Sequence, residues 1–252
     1  MTKEIFREAK LKVEHANSHI RELNESIVEF ANDDICRFVT EKDTDTDNYI
    51  LKCKMIKSLP EKVTLIIGDA IHNLRSALDL MAWELVELCG GKPDKDISFP
   101  IVETQMQLEA TMKNKKIKII GTDNIKLMCD VIKPYKGGNN NLFGLHRLDI
   151  ADKHRTLIPT AHVGVVTHAT GFAGGTQFVD CTFSVDPDGS VHGILAMPED
   201  FNFYITGQQV IWVFFSQTEV FKEQHVLRTL DNLTLTVSDV IQKFEKLNLP
   251  LN

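Results

Sequence analysis

The hydrophobic pattern of this chain changes at Pro159, and that change constrains the fold more than any other feature. Before it, apolar residues recur every three or four positions in several long segments, as on one face of an α-helix. After it, short runs rich in Val, Phe, Thr and Ile alternate with glycines, which is typical of antiparallel strands. A last helical pattern covers about 218–246. We therefore expect an α+β fold in which helices from both ends of the chain pack with a sheet.

The boundaries of the elements follow from turn residues and from the changes of period. We predict a first helix over about 9–30 and a second over about 60–88 that ends at a Gly-Gly-Lys-Pro stop. A small hairpin over about 35–57, with the acidic loop Asp43–Asn48, lies between them. The remaining predictions are helices at about 103–115, 123–132 and 141–154 and a β meander over about 160–215, with strands near 161–169, 176–185, 191–197, 201–206 and 208–215. No linker or repeat divides the 252 residues, so we expect a single domain, 1–252.

Composition indicates the cellular compartment that suits this protein and the classes of partner that it favours. The longest apolar run, Val210–Phe215, is far shorter than the ~20 residues that span a bilayer, and the charged first segment lacks the apolar core of a secretion signal. Five scattered cysteines without a CxxC pair argue against a disulfide framework and a zinc site. We expect a cytoplasmic protein with no membrane contact. The net charge of −7 does not favour nucleic acid, and no nucleotide-binding or cofactor motif is present, so we expect no cofactor.

The first predicted helix carries a narrow apolar seam. Its positions alternate spacings of four and three, like the a and d positions of a coiled coil: Ala9, Val13, Ala16, Ile20, Leu23, Ile27 and Phe30. One hypothesis is therefore a structural module that self-associates as a homodimer through residues 9–30. His15 and His19 stand one turn apart near Glu22, but no fourth ligand is evident, so we expect no metal site.

Residues 68–84 place a polar stripe opposite a broad apolar arc of the second predicted helix. The stripe consists of Asp69, His72, Arg75, Ser76 and Asp79. Arg75 and Asp79 are four residues apart and can form an ion pair. Trp83 falls on the same side, which predicts that another element covers it. Three interpretations stay open, namely a structural polar network, a functional site and a solvent-exposed face.

Residues 145–158 combine apolar positions around the whole helix with a high density of charge. The ionisable residues are Asp149, Asp152, Lys153, His154 and Arg155. They are either part of a functional site or a helix end whose Lys, His and Arg interact favourably with the helix dipole.

The two segments together generate the main functional hypothesis. We expect the helix bearing His72, Arg75 and Asp79 to pack against the segment that carries the charged residues from Asp149 to Arg155. The resulting polar network would be either a pocket for a small ligand or a phosphate group, or a purely structural contact. The candidate catalytic residues are Arg75 and His154, because arginine can hold a phosphate and histidine can exchange a proton.

The same two segments resemble signature stretches of a family of uncharacterised bacterial and phage-borne proteins. The stretches are residues 68–79, Gly-Asp-Ala-Ile-His-Asn-Leu-Arg-Ser-Ala-Leu-Asp, and residues 148–155, Leu-Asp-Ile-Ala-Asp-Lys-His-Arg. The resemblance implies a shared fold and no known activity. Members of that family usually have a histidine after the helix aspartate, in an Arg-x4-His pattern, whereas this chain has Leu80 there.

That pattern is similar to the Arg-x4–6-His motif of the helical HEPN ribonucleases, whose active site is commonly assembled across a dimer. This second resemblance implies an RNA-cleaving or RNA-binding homodimer in which Arg75 is kept and its histidine is replaced by Leu80. Arg147 with His154, and Arg155 with His162, have the same spacing.

Overall fold

The computed structural model describes residues 4–42, 49–154, 157, 159–173, 176–192, 203–205, 208–216 and 220–249. These residues form the expected α+β fold, with helices at both ends and antiparallel sheets. None of the helices in this part of the chain is both long enough and apolar enough to cross a membrane.

Helices and strands occur in blocks along the chain. The α-helices are α1 (Arg7–Ala31), α2 (Glu61–Leu88), α3 (Gln105–Met112), α4 (Lys115–Lys118), α5 (Thr122–Lys126), α6 (Asn140–His154) and α7 (Val226–Asn248), with a π-helical turn at Leu127–Ile132. The strands are β1 (Cys36–Lys42), β2 (Tyr49–Met55), β3 (Pro159–Ala173), β4 (Thr176–Ser184), β5 (Phe203–Ile205) and β6 (Gln209–Phe215).

Helices α1, α2 and α7 form the centre of the helical layer. Lys12 of α1 donates a hydrogen bond to Asn73 of α2, and Lys62 of α2 donates one to Glu29 of α1, so the two helices run antiparallel. Their apolar faces are almost fully buried, which makes this contact the main part of the core.

The apolar seam of α1 belongs to this internal core. All seven seam positions are buried within the chain, where α1 packs against α2 and α7. The seam is therefore covered by the chain's own helices and is not the surface through which residues 9–30 could self-associate; self-association itself stays a prediction. A seam of this width can be covered by a second copy or by neighbouring helices, and its periodicity does not distinguish the two.

The larger sheet is built around the long strand β3. Strand β4 pairs with one edge of β3, and β6 and β5 pair with successive parts of the other edge, all antiparallel. Alternate residues of β6, Ile211, Val213 and Phe215, are buried on the side where α1 and α7 contact this strand. The sheet therefore closes one side of the helical core.

The β1–β2 hairpin is confirmed and attaches to the larger sheet through the turn after β4. Its register runs from Cys36 opposite Met55 to Lys42 opposite Tyr49. Cys53 N donates to Gly189 O over 2.8 Å. Gly189 has φ +87°, and a Cβ there would lie 2.8 Å from the carbonyl oxygen of Cys53, so the turn needs glycine. The loop Asp43–Asn48 and most of the strand expected at 191–197 lie outside the described residues.

Two helices differ from their predicted extents. The last helix begins at Val226 instead of about 218, because His225 pairs with Phe214 of β6 and is held extended. The helix expected at 123–132 is α5 followed by the π-helical turn, which ends at Lys133 in the left-handed conformation directly before Pro134. Gly121, instead of Thr122 or Asp123, is its N-cap residue.

Replacing Leu74 by Ala should lower the free energy of unfolding by about 2–5 kcal/mol, because its fully buried side chain on α2 would leave a cavity. Leu65→Ala on the same helix is the matched control. Leu65 is 63% exposed, and we expect a change within about 0.5 kcal/mol. Urea unfolding followed by circular dichroism measures both, and equal losses would contradict the orientation of α2.

Candidate functional site

Helix α6 packs directly on the polar stripe of α2. A Cβ atom placed on Gly68 of α2 would lie only 2.6 Å from a carboxylate oxygen of Asp152 on α6. The glycine therefore permits a close approach that any larger side chain would disturb. This approach brings the two predicted polar segments into one cluster. The glycine inside the helical pattern of α2 is the sequence signal that could have indicated this close packing.

A buried carboxylate lies at the centre of the cluster. Only 4% of the Asp149 side chain is exposed. Its Oδ1 lies 3.2 Å from His72 Nδ1 on α2, and its Oδ2 accepts a 2.6 Å hydrogen bond from Lys153 Nζ one turn along α6. Each carboxylate oxygen therefore has a partner, as a buried charge requires.

His72 also has a contact on its other ring nitrogen. Ser76, one turn along α2, places its Oγ 3.4 Å from His72 Nε2. His72 and Lys153 are each about half exposed, so solvent reaches the outer side of the cluster while Asp149 stays buried beneath them.

Arg75 and Asp79 both bind the backbone of one residue in the loop after α2. Arg75 Nη2 donates to the carbonyl oxygen of Phe99 over 2.8 Å, and Asp79 Oδ1 accepts from the amide of Phe99 over 2.8 Å. Arg75 and Asp79 also form an ion pair of 3.0 Å. The expected pairing of the two residues is therefore present, and together they hold the loop after α2 against the helix.

Burial shifts the proton affinity of several groups in the cluster. It raises the pKa of Asp79, against the lowering effect of Arg75, and it raises the pKa of Asp152, with the charges of Asp149 and Asp69 adding to the shift. Burial, and then the charge of Arg75, lower the pKa of His146. Burial is therefore the main cause of the raised pKa of both carboxyl groups, and at Asp152 the neighbouring carboxylates add to it.

Not every predicted site residue joins the cluster. His154 lies exposed at the end of α6 and makes no hydrogen bond or ion pair with a described residue, and Arg155 lies outside the described residues. Another element does cover the polar side of α2, as expected from Trp83, because α6 and the loop at Phe99 pack on it. Trp83 itself lies beyond these contacts, since it is 38% exposed and donates to Glu87 on its own helix.

Metal ligands are not grouped in the described part of the chain. No cluster of three or more His, Cys, Asp or Glu side chains there has the geometry to hold an ion. His15 and His19 of α1 stack on each other with ring centres 4.6 Å apart, and His19 lies 3.7 Å from Glu22. All five cysteines carry free thiols.

Comparison with protein-family models, with curated proteins and with solved structures finds no match to this chain. The function must therefore be inferred from the geometry of the cluster itself.

Replacing Arg75 by Ala should lower the free energy of unfolding by about 1–3 kcal/mol, because the buried Phe99 carbonyl loses its donor and Asp79 its counter-ion. Lys62→Ala, which removes an exposed ion pair from the same helix, should change it by no more than about 1 kcal/mol. Urea titrations measure the free energy of unfolding of both variants. Indistinguishable losses would show that Arg75 does not hold the loop.

Replacing Asp152 by Asn should raise the urea midpoint at pH 7. A carboxyl whose pKa is raised in the folded state is destabilising when ionised, and this cost disappears below its unfolded pKa of about 3.9. The gain should therefore shrink as the pH falls toward that value. Asp130→Asn, at an exposed aspartate, is the control and should show no such trend. An Asp152→Asn gain that is independent of pH would contradict this explanation.

Proposed function

We propose that the junction of α2 and α6 binds a small polar molecule and exchanges a proton with it through His72. The contact between His72 Nδ1 and buried Asp149 carries this proposal. A carboxylate on Nδ1 holds the proton there, so that Nε2 is the atom free to accept one. Because 54% of the His72 side chain is exposed, a ligand can reach that ring. Histidine oriented in this way is suited to general acid–base catalysis.

The charges of the cluster indicate which ligands suit it. Four carboxylates (Asp69, Asp79, Asp149 and Asp152) outnumber the three cations, Arg75, Arg147 and Lys153. Arg75 is nearly buried and is bound to Phe99 and Asp79, so it has little capacity to hold a further anion. This balance favours a neutral or cationic molecule with hydroxyl, carbonyl or amino groups over a phosphate-bearing one.

An unpaired polar atom supports the presence of a further polar group at the junction. Nδ1 of His146 is buried and has no hydrogen-bond partner among the described residues. Buried polar atoms are nearly always satisfied by protein, water or ligand. Because His146 and Asp149 interact electrostatically, this atom belongs to the same cluster.

The proposal is tested with 5-nitrobenzisoxazole, a neutral molecule whose ring opens when a general base removes one proton. We expect the full-length protein to accelerate this reaction, and His72→Gln and Asp149→Asn each to lower the rate at least about tenfold. His154→Gln is the matched control, since His154 is also exposed but has no carboxylate partner among the described residues. Absorbance of the product measures the rate.

The outcomes of this comparison separate the two histidines. Loss of activity in His154→Gln with full activity in His72→Gln would overturn the proposal and favour His154, the histidine chosen from the sequence. Long-range ¹H–¹⁵N spectra give a second readout. Neutral His72 should carry its proton on Nδ1, and this preference should be lost in Asp149→Ala.

RNA cleavage of the HEPN type is a second candidate, favoured by one observation. After burial, the charge of Arg75 lowers the pKa of His146, so an arginine and a histidine lie within electrostatic range of each other although Leu80 breaks their spacing in sequence. Incubation with a single-stranded RNA tests it. Cleavage that His146→Ala removes and His72→Gln keeps would favour this reading over the first.

We also propose a cytoplasmic location, because the five free thiols suit a reducing compartment. A homodimer remains a proposal, and it would have to use a surface other than the buried seam of α1.

A further inference from the structure

We propose that Ser76 is a nucleophile activated by His72 and Asp149, and that the junction cleaves small neutral acyl esters. This inference rests on the proposed function, because His72 is the base in both. It adds a covalent step and a substrate class.

The three side chains form a continuous relay. Ser76 Oγ lies 3.4 Å from His72 Nε2, and His72 Nδ1 lies 3.2 Å from Asp149 Oδ1. A serine, a histidine and a buried aspartate in this order define the hydrolytic triad by geometry, whatever their order in sequence. Such contacts are often slightly long before a substrate binds and tighten in its complex.

The contact of Ser76 differs from those of other helical hydroxyls in this protein. Ser18, Thr111 and Thr236 each donate to the carbonyl oxygen four residues earlier, which is the ordinary arrangement within a helix. The described hydrogen bonds include none from Ser76 to the carbonyl of His72. Its hydroxyl instead lies against the imidazole ring of that residue. Ser76 is therefore the hydroxyl of this set that is placed to lose its proton to a base.

The proposed ester hydrolysis needs no oxidant or reductant. Ser76 Oγ attacks the ester carbonyl carbon while its proton moves to His72 Nε2, and Asp149 stabilises the imidazolium. The bond to the leaving alcohol then breaks, and His72 returns the proton to the departing oxygen. Water deprotonated by His72 attacks the acyl-serine ester, and Ser76 recovers its proton when the acid leaves.

The surroundings of Ser76 limit the substrates. In the middle of α2 the backbone amides are used by the helix, so they cannot form an oxyanion hole, and losing one donor from such a hole typically costs about 10²–10³ in rate. Lys153, held by Asp149 and half exposed, is the cation of the network that can offset the developing negative charge. We therefore expect esters with good leaving groups to react and peptides to resist.

Labelling with a fluorophosphonate tests the nucleophile directly. We expect intact-mass spectrometry of the full-length protein to show one adduct and peptide mapping to place it on Ser76. Ser76→Ala should abolish the adduct, and His72→Gln should slow it at least about tenfold. Ser18→Ala is the matched control, because Ser18 is a helical serine with the ordinary carbonyl contact, and labelling should be unchanged. Urea midpoints of all variants check folding.

An adduct on another serine, or labelling of Ser76 at full rate in His72→Gln, would overturn the inference. The proton exchange at His72 and the nucleophilic role of Ser76 can be disproved independently. If 5-nitrobenzisoxazole still reacts through His72 while Ser76 stays unlabelled, His72 is a base without a nucleophile, and only the triad is disproved. If Ser76 is labelled through His72 and p-nitrophenyl acetate gives a burst of one product per chain, the triad is established.

Discussion

The burial of charged groups along one face of α2 is the constraint on which the rest of the structure depends. A charged side chain removed from water is costly unless a partner of opposite charge or a hydrogen bond replaces the solvent. Arg75 and Asp149 both meet this condition, the first through Asp79 and Phe99, the second through His72 and Lys153. These contacts favour the observed positions of α6 and of the loop after α2, since moving either one breaks a contact of a buried charged group, between His72 and Asp149 or between Arg75 and Phe99.

The same face of α2 makes two different sets of contacts. Arg75 and Asp79 supply hydrogen bonds to both backbone groups of Phe99, which has no strand partner of its own. His72 is open to solvent on one side, contacts buried Asp149 through one ring nitrogen and lies against Ser76 through the other. The first set stabilises the fold, and the second set holds an ionisable ring in a defined orientation. Chemistry is therefore expected at His72 instead of Arg75.

Most of the fold could be predicted because its signals are local. The apolar arcs of α1, α2 and α7 and the alternation along β6 follow directly from helical and strand periods. The errors occur where a distant contact overrides a local pattern. His225 continues a helical sequence but pairs with Phe214 in the sheet, so α7 starts late. The seam of α1 has coiled-coil spacing, yet α2 and α7 cover it within one chain.

The sequence by itself determined the fold class, the polar stripe on α2, the charge density of α6 and the pairing of Arg75 with Asp79, since each depends on residues close in sequence. Only the tertiary structure decided which of those polar groups are buried and which of them contact one another. Periodicity distributes side chains around one helix axis but does not say what packs on each side. The close packing of Asp152 on Gly68 determines which groups are buried, because it places Asp149 beneath His72 and leaves Trp83 and His154 at the surface.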